Sequence, residues 1–292
     1  MISQHLRELT KDFLEISSTP ALDAELILAA AVGRDRNYVL TNPETSLSLE
    51  ELERLEKLKQ KRRRGYPLAY LTNRREFWGH DFYVDESVLI PRPETELLVD
   101  TAIKHLAPKN PQYVIDIGTG SGCIAITLAR QIPQHTYLAT DVSAAALRTA
   151  QLNAIKHRVK DRITFYQGNL LEPLFHPASS LPAENLLLIA NLPYVDMKNI
   201  GTPLNPPLAK LQAGLRFEPT TALDGGAEGK VLIENLLRQI ARKNLHDSII
   251  LLEIGQGQAP KLKPAIKDIL PRSQVQTTPD EAGIERLLSI EI

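Results

Sequence analysis

The chain has 292 residues, 43% of them hydrophobic and 24% charged, with a formal net charge of −1. This balance fits one large or two smaller globular domains and excludes a uniformly basic nucleic-acid coat, though not a local basic patch. One cysteine, Cys123, excludes an internal disulfide and a cysteine-based zinc site, and the seven histidines lack metal-ligand spacing, so no metal is expected. No run of 18 apolar residues and no secretory leader pattern is present, which points to a cytoplasmic protein without a membrane span.

Residues 1–72 read as helical, with one apolar stripe at Leu22, Leu26, Ala29 and Ala30 and another at Leu49, Leu52, Leu55 and Leu58. Asn42-Pro43-Glu44-Thr45 marks a turn between helices. Nothing in this segment looks catalytic, so it is expected to be a small substrate-docking domain or a structural cap. The basic run Lys57, Lys59, Lys61, Arg62, Arg63 and Arg64 is either a solvated helix end or a contact for RNA or an acidic partner.

Residues 73–92 are expected to form a β-hairpin linker, because Phe77, Trp78, Phe82, Tyr83 and Val84 are aromatic or β-branched and Gly79 and Asp81 lie between them. The linker runs into Ile90-Pro91-Arg92-Pro93-Glu94, where the two prolines require extended backbone. Pro93 suits the start of the following helix, and Glu94 and Glu96 fall in its first turn, where the helix dipole favours acids.

In the remaining domain, 93–292, apolar strands alternate with helical stretches. Strands are predicted at 113–117, 136–140, 162–166, 186–190, 248–254, 273–278 and 286–291, and helices at 94–106, 121–131, 144–157, 229–243 and 260–269. That rhythm is α/β with a largely parallel sheet. Residues 279–285, between the last two strands, are too few for a crossover helix, so those strands should be antiparallel. A seven-stranded methyltransferase sheet with a final antiparallel hairpin has this ending, and a pure dinucleotide-binding fold does not.

Gly118-Thr119-Gly120-Ser121-Gly122 follows the first sheet strand. Such a turn lets backbone N–H groups approach a ligand, but the third glycine comes one residue too early for the dinucleotide fingerprint, and no Lys-Ser or Lys-Thr pair completes a phosphate loop. Asp116, just before it, would repel a pyrophosphate yet suits a positively charged amino-acid moiety. Asp141, ending the second strand, can accept both ribose hydroxyls or else cap the helix that starts near Ser143. After the third strand, Asn169 can pair with an adenine edge and Leu170 can cover the ring, unless Gly168-Asn169-Leu170 is a plain turn. A nucleoside lying across the three strand ends would meet all of these groups.

Asn191-Leu192-Pro193-Tyr194 follows the fourth strand. The Asn191 side-chain oxygen and the Leu192 carbonyl, which is held before a proline, offer two acceptors at fixed separation for a planar NH2 group, and Tyr194 offers a flat stacking face. This arrangement fits methylation of an amide or exocyclic amine nitrogen, a poor nucleophile for which rigid orientation is the available lever. The long connection at 196–227 starts immediately after Tyr194 and is expected to cover the substrate as a lid, with a surface loop as the alternative.

Taken together, these residues resemble the protein-(glutamine-N5) methyltransferases that act on peptide-chain release factors. The likeness extends over nearly the whole chain through Arg75-Glu76-Phe77-Trp78-Gly79, Leu89-Ile90-Pro91-Arg92-Pro93-Glu94-Thr95-Glu96, the 118–122 turn, Arg216-Phe217-Glu218-Pro219 and Glu253-Ile254-Gly255-Gln256-Gly257. It implies a helical N-terminal domain joined to a seven-stranded domain that uses S-adenosylmethionine and releases S-adenosylhomocysteine. The implied reaction methylates the glutamine amide of a release factor's Gly-Gly-Gln motif. Gly118, Thr119, Gly120, Ser121, Gly122, Asp141, Asn169 and Leu170 would then bind the cofactor. Asn191 would touch cofactor and substrate, and Leu192, Pro193 and Tyr194 would complete the amide clamp, with Asn191, Pro193 and Tyr194 catalytic. The enzyme is expected to act as a monomer without direct nucleic-acid binding.

The chain departs from the family pattern at Leu192, where a proline usually stands, and at Asn169, where an acid is common. The first departure leaves the clamp carbonyl in place but removes a fixed φ from the loop. It also brings the tetrapeptide close to that of adenine-N6 methyltransferases acting on ribosomal RNA, which is the rival reading. A partner-binding module that merely keeps the fold is a third.

Overall fold

The structure is a computed structural model that describes residues 1–106, 112–175, 181–196 and 214–292. It forms two compact units: Met1–Arg74 with residues 214–218, and the described residues of 75–200 with 219–292.

The first unit contains α1 (Ile2–Phe13), α2 (Pro20–Val32), α3 (Arg36–Thr41), α4 (Leu49–Arg63) and α5 (Leu68–Thr72). A capping box starts α4: Glu51 N donates to Ser48 Oγ at 3.2 Å, and Ser48 N donates to Glu51 Oε2 at 2.7 Å. The buried apolar residues of α2 are Ala24, Ile27, Leu28, Ala29 and Ala31, so of the stripe at Leu22, Leu26, Ala29 and Ala30 only Ala29 is fully inside, and Leu22 is 37% exposed. This helix is apolar on nearly every side, so periodicity cannot choose its inward face. In α4 Leu55 is buried, but Leu49, at the first turn, is 82% exposed.

Much of the basic run is engaged within this unit. Lys59 pairs with Asp12 at 2.6 Å, Lys61 lies over the Tyr66 ring at 5.1 Å, and Arg62 pairs with buried Asp23 at 2.7 Å. Phe217 packs on Tyr66 with ring centroids 4.7 Å apart, and Arg216 donates to the Arg64 carbonyl.

The second unit opens with an antiparallel hairpin of β1 (Arg75–Phe77) and β2 (His80–Phe82). Its two-residue turn, Trp78-Gly79, has positive φ at both positions (50° and 71°), which matches the twist of the strands. Phe77 and Phe82 are fully buried with centroids 6.1 Å apart. A short 3-10 turn, Pro93–Thr95, precedes α6 (Glu96–Leu106), and Glu96 Oε1 accepts from Trp78 N at 2.8 Å.

The other strands are β3 (Tyr113–Ile117), β4 (Thr136–Asp141), β5 (Ile163–Gln167), β6 (Leu186–Ala190), β7 (Ile249–Glu253), β8 (Gln274–Pro279) and β9 (Glu285–Glu291). The helices among them are α7 (Cys123–Gln131), α8 (Ala144–Lys156), α9 (Val231–Arg242) and α10 (Ala259–Ile269). The strands form one seven-stranded sheet in the order β5-β4-β3-β6-β7-β9-β8, in which only β9 runs antiparallel to its neighbours. The predicted elements therefore stand, with ends moved by a residue or two.

All five residues of β6 are buried, as a parallel strand covered on both faces requires. Leu187 and Ile189 join one core with Leu98, Ile124 and Leu128, while Leu186, Leu188 and Ala190 join the other with Leu236, Ile240 and Leu262. Ile117 is level with Thr140 on β4 and Ala190 on β6, and Asp141 is level with Gln167 on β5. The carboxyl ends of these four strands thus form one edge, from which Gly118, Val142, Gly168 and Asn191 emerge.

Candidate active site

A cleft with about 970 Å³ of space, open solvent included, lies along that edge. Gly118, Thr119, Gly120, Ser121, Asp141, Asn169, Leu170, Asn191, Leu192 and Pro193 all line it, whereas Gly122 and Tyr194 do not.

The glycine turn is fastened to the sheet. Gly118 N and Thr119 N both donate to the Thr140 carbonyl at 2.9 Å. Gly118, Gly120 and Gly122 have φ of 73°, 55° and 81°. Gly122 acts behind the cleft: a Cβ there would lie 2.8 Å from Ile126 Cδ1 and 3.1 Å from Ala150 Cβ, so the glycine lets the turn close on α7 and α8.

Asp116 sits beneath the turn, 1% exposed. Its Oδ2 accepts from Thr119 Oγ1 at 2.6 Å and from Ala125 N at 3.2 Å, while Oδ1 has no partner among the described residues. Burial pushes this carboxyl up to about 6, against the bonds from Thr119 and Ala125. Asp116 is thus a brace for the turn, outside the cleft lining.

Asp141 joins the turn to the next strand end. Its Oδ2 accepts from Gly120 N at 2.9 Å and its Oδ1 from Ser143 N at 2.8 Å. Helix α8 is capped by Ser143, whose Oγ accepts from Ala146 N at 3.1 Å, so the capping role does not occupy Asp141. Burial raises the Asp141 pKa, opposed by the backbone N–H groups of Ser143 and Gly120. A carboxylate oxygen has two lone pairs, so each retains capacity for a hydroxyl donor. Asn169 is exposed and its Nδ2 donates to Glu172 Oε1 at 3.2 Å; Leu170 is buried at φ 54°. A bulky residue at that φ is strained, and here it lies in the cleft wall.

Asn191 Nδ2 donates to Thr95 Oγ1 at 2.9 Å, leaving Oδ1 without a hydrogen bond among the described residues. Leu192 is buried in the sheet core, and a Cβ on Gly118 would approach its Cδ2 to 3.2 Å. Packing therefore restrains the loop where a proline would restrain it covalently.

Tyr194 is expected from the sequence to offer a flat stacking face. It is half-buried outside the cleft lining, and its hydroxyl donates to Glu253 Oε1 at 3.2 Å. Burial, followed by the Glu253 charge, raises the Tyr194 pKa. A Cβ on Gly255 would lie 3.1 Å from Tyr194 Cδ2. The Tyr194 carbonyl accepts from Gln258 Nε2 at 3.3 Å. On the other side, a Cβ on Gly225 would come within 2.6 Å of the Pro193 carbonyl, and one on Gly229 within 2.0 Å of the Tyr194 carbonyl. Val195 N donates to Leu223 O, and Gly225 N to Val195 O, each at 3.0 Å.

The connection expected as a lid thus divides. Residues 197–213 lie outside the described residues, 214–218 belong to the helical unit, and 222–229 brace the tetrapeptide. Sequence reasoning missed Thr95, Gly225, Gly229, Glu253 and Gln258 as parts of the site. The segments 89–96 and 253–257 were singled out by resemblance, but nothing local to them indicates which residue reaches position 191 or 194.

The donor set fits S-adenosylmethionine. Asp141, in the cleft lining, offers acceptors for two vicinal hydroxyls, and Asp116 braces the turn from below, with one oxygen unpartnered among the described residues. Among the described residues no helix is long and apolar enough to cross a membrane.

Residues 4–72 match the PrmC N-terminal domain, and residues 94–181 match the methyltransferase small domain. The chain is 35% identical over 279 residues to the release factor glutamine methyltransferase of Koribacter versatilis, covering 94% of this chain and 93% of that protein. It is also 35% identical over 253 residues to the protein of that name from Escherichia coli K12, covering 86% and 85%. Among solved structures, the N-terminal domain of human METTL16 superposes with a TM-score of 0.52 at 17% identity, covering 90% of this chain and 92% of that one. That likeness is one of fold.

Proposed function

The chain belongs to the release factor glutamine methyltransferase family, and on that premise we propose that residues 191–194 hold the substrate amide in the cleft beside the methyl donor. The enzyme transfers a methyl group from S-adenosylmethionine to the side-chain amide nitrogen of a release-factor glutamine. The observation that carries the assignment of residues is Asn191: it lines the same cleft as the glycine turn and Asp141, with its amide N–H engaged by Thr95 and its oxygen without a hydrogen bond among the described residues.

When bound, S-adenosylmethionine supplies an electrophilic methyl group. Asp141 would hold the ribose hydroxyls, the 118–122 turn the amino-acid moiety, and Asn169 and Leu170 the adenine. Asn191 Oδ1 and the Leu192 carbonyl each accept one amide N–H of the glutamine, turning the nitrogen's face toward the methyl. An amide lone pair is delocalised, so orientation is the main lever, and well-oriented pairs gain up to roughly 7–11 kcal/mol. Both acceptors strengthen as positive charge develops on nitrogen. Pro193 keeps Leu192 extended, and Tyr194 anchors the loop through Glu253. The nitrogen gains the methyl and loses one proton to water, leaving S-adenosylhomocysteine.

The helical segment 1–72 docks the release factor, 73–92 links it to the catalytic domain 93–292, and the enzyme works as a cytoplasmic monomer without binding nucleic acid. Incubation with labelled methyl donor and, separately, release factor and ribosomal RNA tests the reading. Label at the Gly-Gly-Gln glutamine supports it; label in RNA alone overturns it.

A further inference from the structure

A carboxamide is nearly symmetric in shape, so packing barely distinguishes its oxygen from its nitrogen; hydrogen bonds decide. For Asn191 the choice governs the reaction. With Oδ1 toward the substrate it accepts an amide N–H. Reversed, it sets donors against donors, and the clamp is lost.

The group that makes this choice is Thr95, which is 2% exposed and accepts from Asn191 Nδ2 at 2.9 Å. A hydroxyl has a single hydrogen and can donate in only one direction. If that hydrogen points away from Asn191, Oγ1 presents only lone pairs and Nδ2 must face it. Glu253 supplies a destination. It ends β7, is 3% exposed, and takes the Tyr194 hydroxyl on Oε1, while its buried Oε2 has no partner among the described residues. A carboxyl buried with an oxygen to spare is costly and calls for a role. Burial disfavours the charged form of Glu253, and the Thr95 and Tyr194 hydroxyls both favour it, so the spare Oε2 is a destination for the Thr95 hydrogen.

We propose that Thr95 and Glu253 are positioning residues for methyl transfer: Glu253 takes the Thr95 hydrogen, Thr95 thereby takes the Asn191 Nδ2 hydrogen, and Asn191 Oδ1 is left facing the substrate. The proposal rests on the clamp reading of Asn191. It joins the Ile90–Glu94 segment's neighbour Thr95 and the β7 end, neither of which need touch the substrate, to the orientation of one amide. It also gives Glu253 two ties to the tetrapeptide, through Asn191 and through Tyr194.

The test compares Thr95→Val, which keeps the shape and removes the hydroxyl, with Thr95→Ser, which keeps the hydroxyl, and with Glu253→Gln and Asn191→Ala. In Glu253→Gln, Tyr194 claims Oε1, so Nε2 donates to Thr95 and the Thr95 hydrogen turns toward Asn191, drawing Oδ1 around. Thr95→Val and Glu253→Gln should each lower kcat on release factor by about 10- to 100-fold, as loss of orientation does, with the S-adenosylmethionine Kd unchanged within about twofold. Thr95→Ser should restore most of the kcat lost in Thr95→Val. The double variant should be no worse than its worse parent, since both break one relay. Full kcat in Thr95→Val, equal loss in the Ser and Val variants, or a matching loss of cofactor affinity overturns the proposal. Glu253→Gln carries the same test if Thr95→Val does not fold. An inactive Asn191→Ala beside a fully active Thr95→Val leaves the clamp standing and removes the relay; a fully active Asn191→Ala removes both.

Discussion

The glycine turn and the tetrapeptide meet in one cleft, yet they are built in opposite ways. The turn at 118–122 is held by its own neighbourhood: Asp116 and Thr140 at adjoining strand ends, Asp141 one residue beyond, and Ala125 in the following helix. The tetrapeptide at 191–194 borrows almost all its support from elsewhere, from Thr95 before the sheet and from Gly225, Gly229, Glu253 and Gln258 after it. A glycine turn can be encoded in one strand-turn-helix unit, whereas a loop that lines the same cleft from another strand end takes its shape from the assembled domain.

The comparison is tested most severely at its chemical centre. Asn191→Ala should lower kcat by about 10²- to 10³-fold, the usual cost of removing a transition-state hydrogen-bonding group, while calorimetry shows the S-adenosylmethionine Kd little changed. A comparable loss of cofactor affinity would mean that clamp and grip are one structure.

On the side of the turn, Asp116 predicts a pH dependence. Its carboxyl is raised from 3.8 to about 6 in the folded protein, so the folded state keeps a proton that the unfolded chain has already lost. Its contribution to stability is therefore greatest below pH 3.8 and declines as pH rises to about 6, by about 3 kcal/mol in all. Denaturant unfolding of Asp116→Asn between pH 4 and 7 should lack this component, so the wild type should lose ground to the variant as pH rises. Parallel curves for the two proteins would place the Asp116 proton elsewhere.

Gly229→Ala probes the borrowed support, because its Cβ would fall 2.0 Å from the Tyr194 carbonyl. The loop must move, and a displacement near 1 Å can cost about 10²-fold in kcat. Assays with saturating cofactor should show that loss with Kd preserved. Asp141→Ala should do the reverse, weakening S-adenosylmethionine binding by about 10- to 100-fold, because Gly120 N and Ser143 N lose their acceptor along with the ribose. The smallest effect belongs to Leu192→Pro, which exchanges a packed restraint for a covalent one. Turnover within about threefold of wild type is expected, since a volume-tolerant swap at a site that already precedes a proline disturbs little; a large change would show that Leu192 has a role of its own.

Legibility follows the same division. The strand rhythm, the final hairpin, the turn and Asp141 were readable because each is a statement about neighbours in the chain. The capping alternative at Asp141 was removed only by the structure, in which Ser143 caps α8. The apolar stripes of α2 and α4 were misplaced at Leu22 and Leu49, because an all-round apolar helix has no preferred phase and a helix end need not be buried. Tyr194 reads in isolation as a stacking surface, and its bond to Glu253 is visible only in the folded chain.

The sequence by itself determined the fold class, the glycine turn, the kind of atom presented at Asn191 and, by resemblance, the family. Those properties follow from residue type and short-range spacing. Only the tertiary structure decided which carboxyl braces and which lines the cleft, which hydroxyl faces the Asn191 amide, and which glycines let two backbones touch. Hydrogen bonds and close packing are satisfied between whichever groups folding brings together, and nothing in the spacing from Thr95 to Asn191 or from Tyr194 to Glu253 records that meeting.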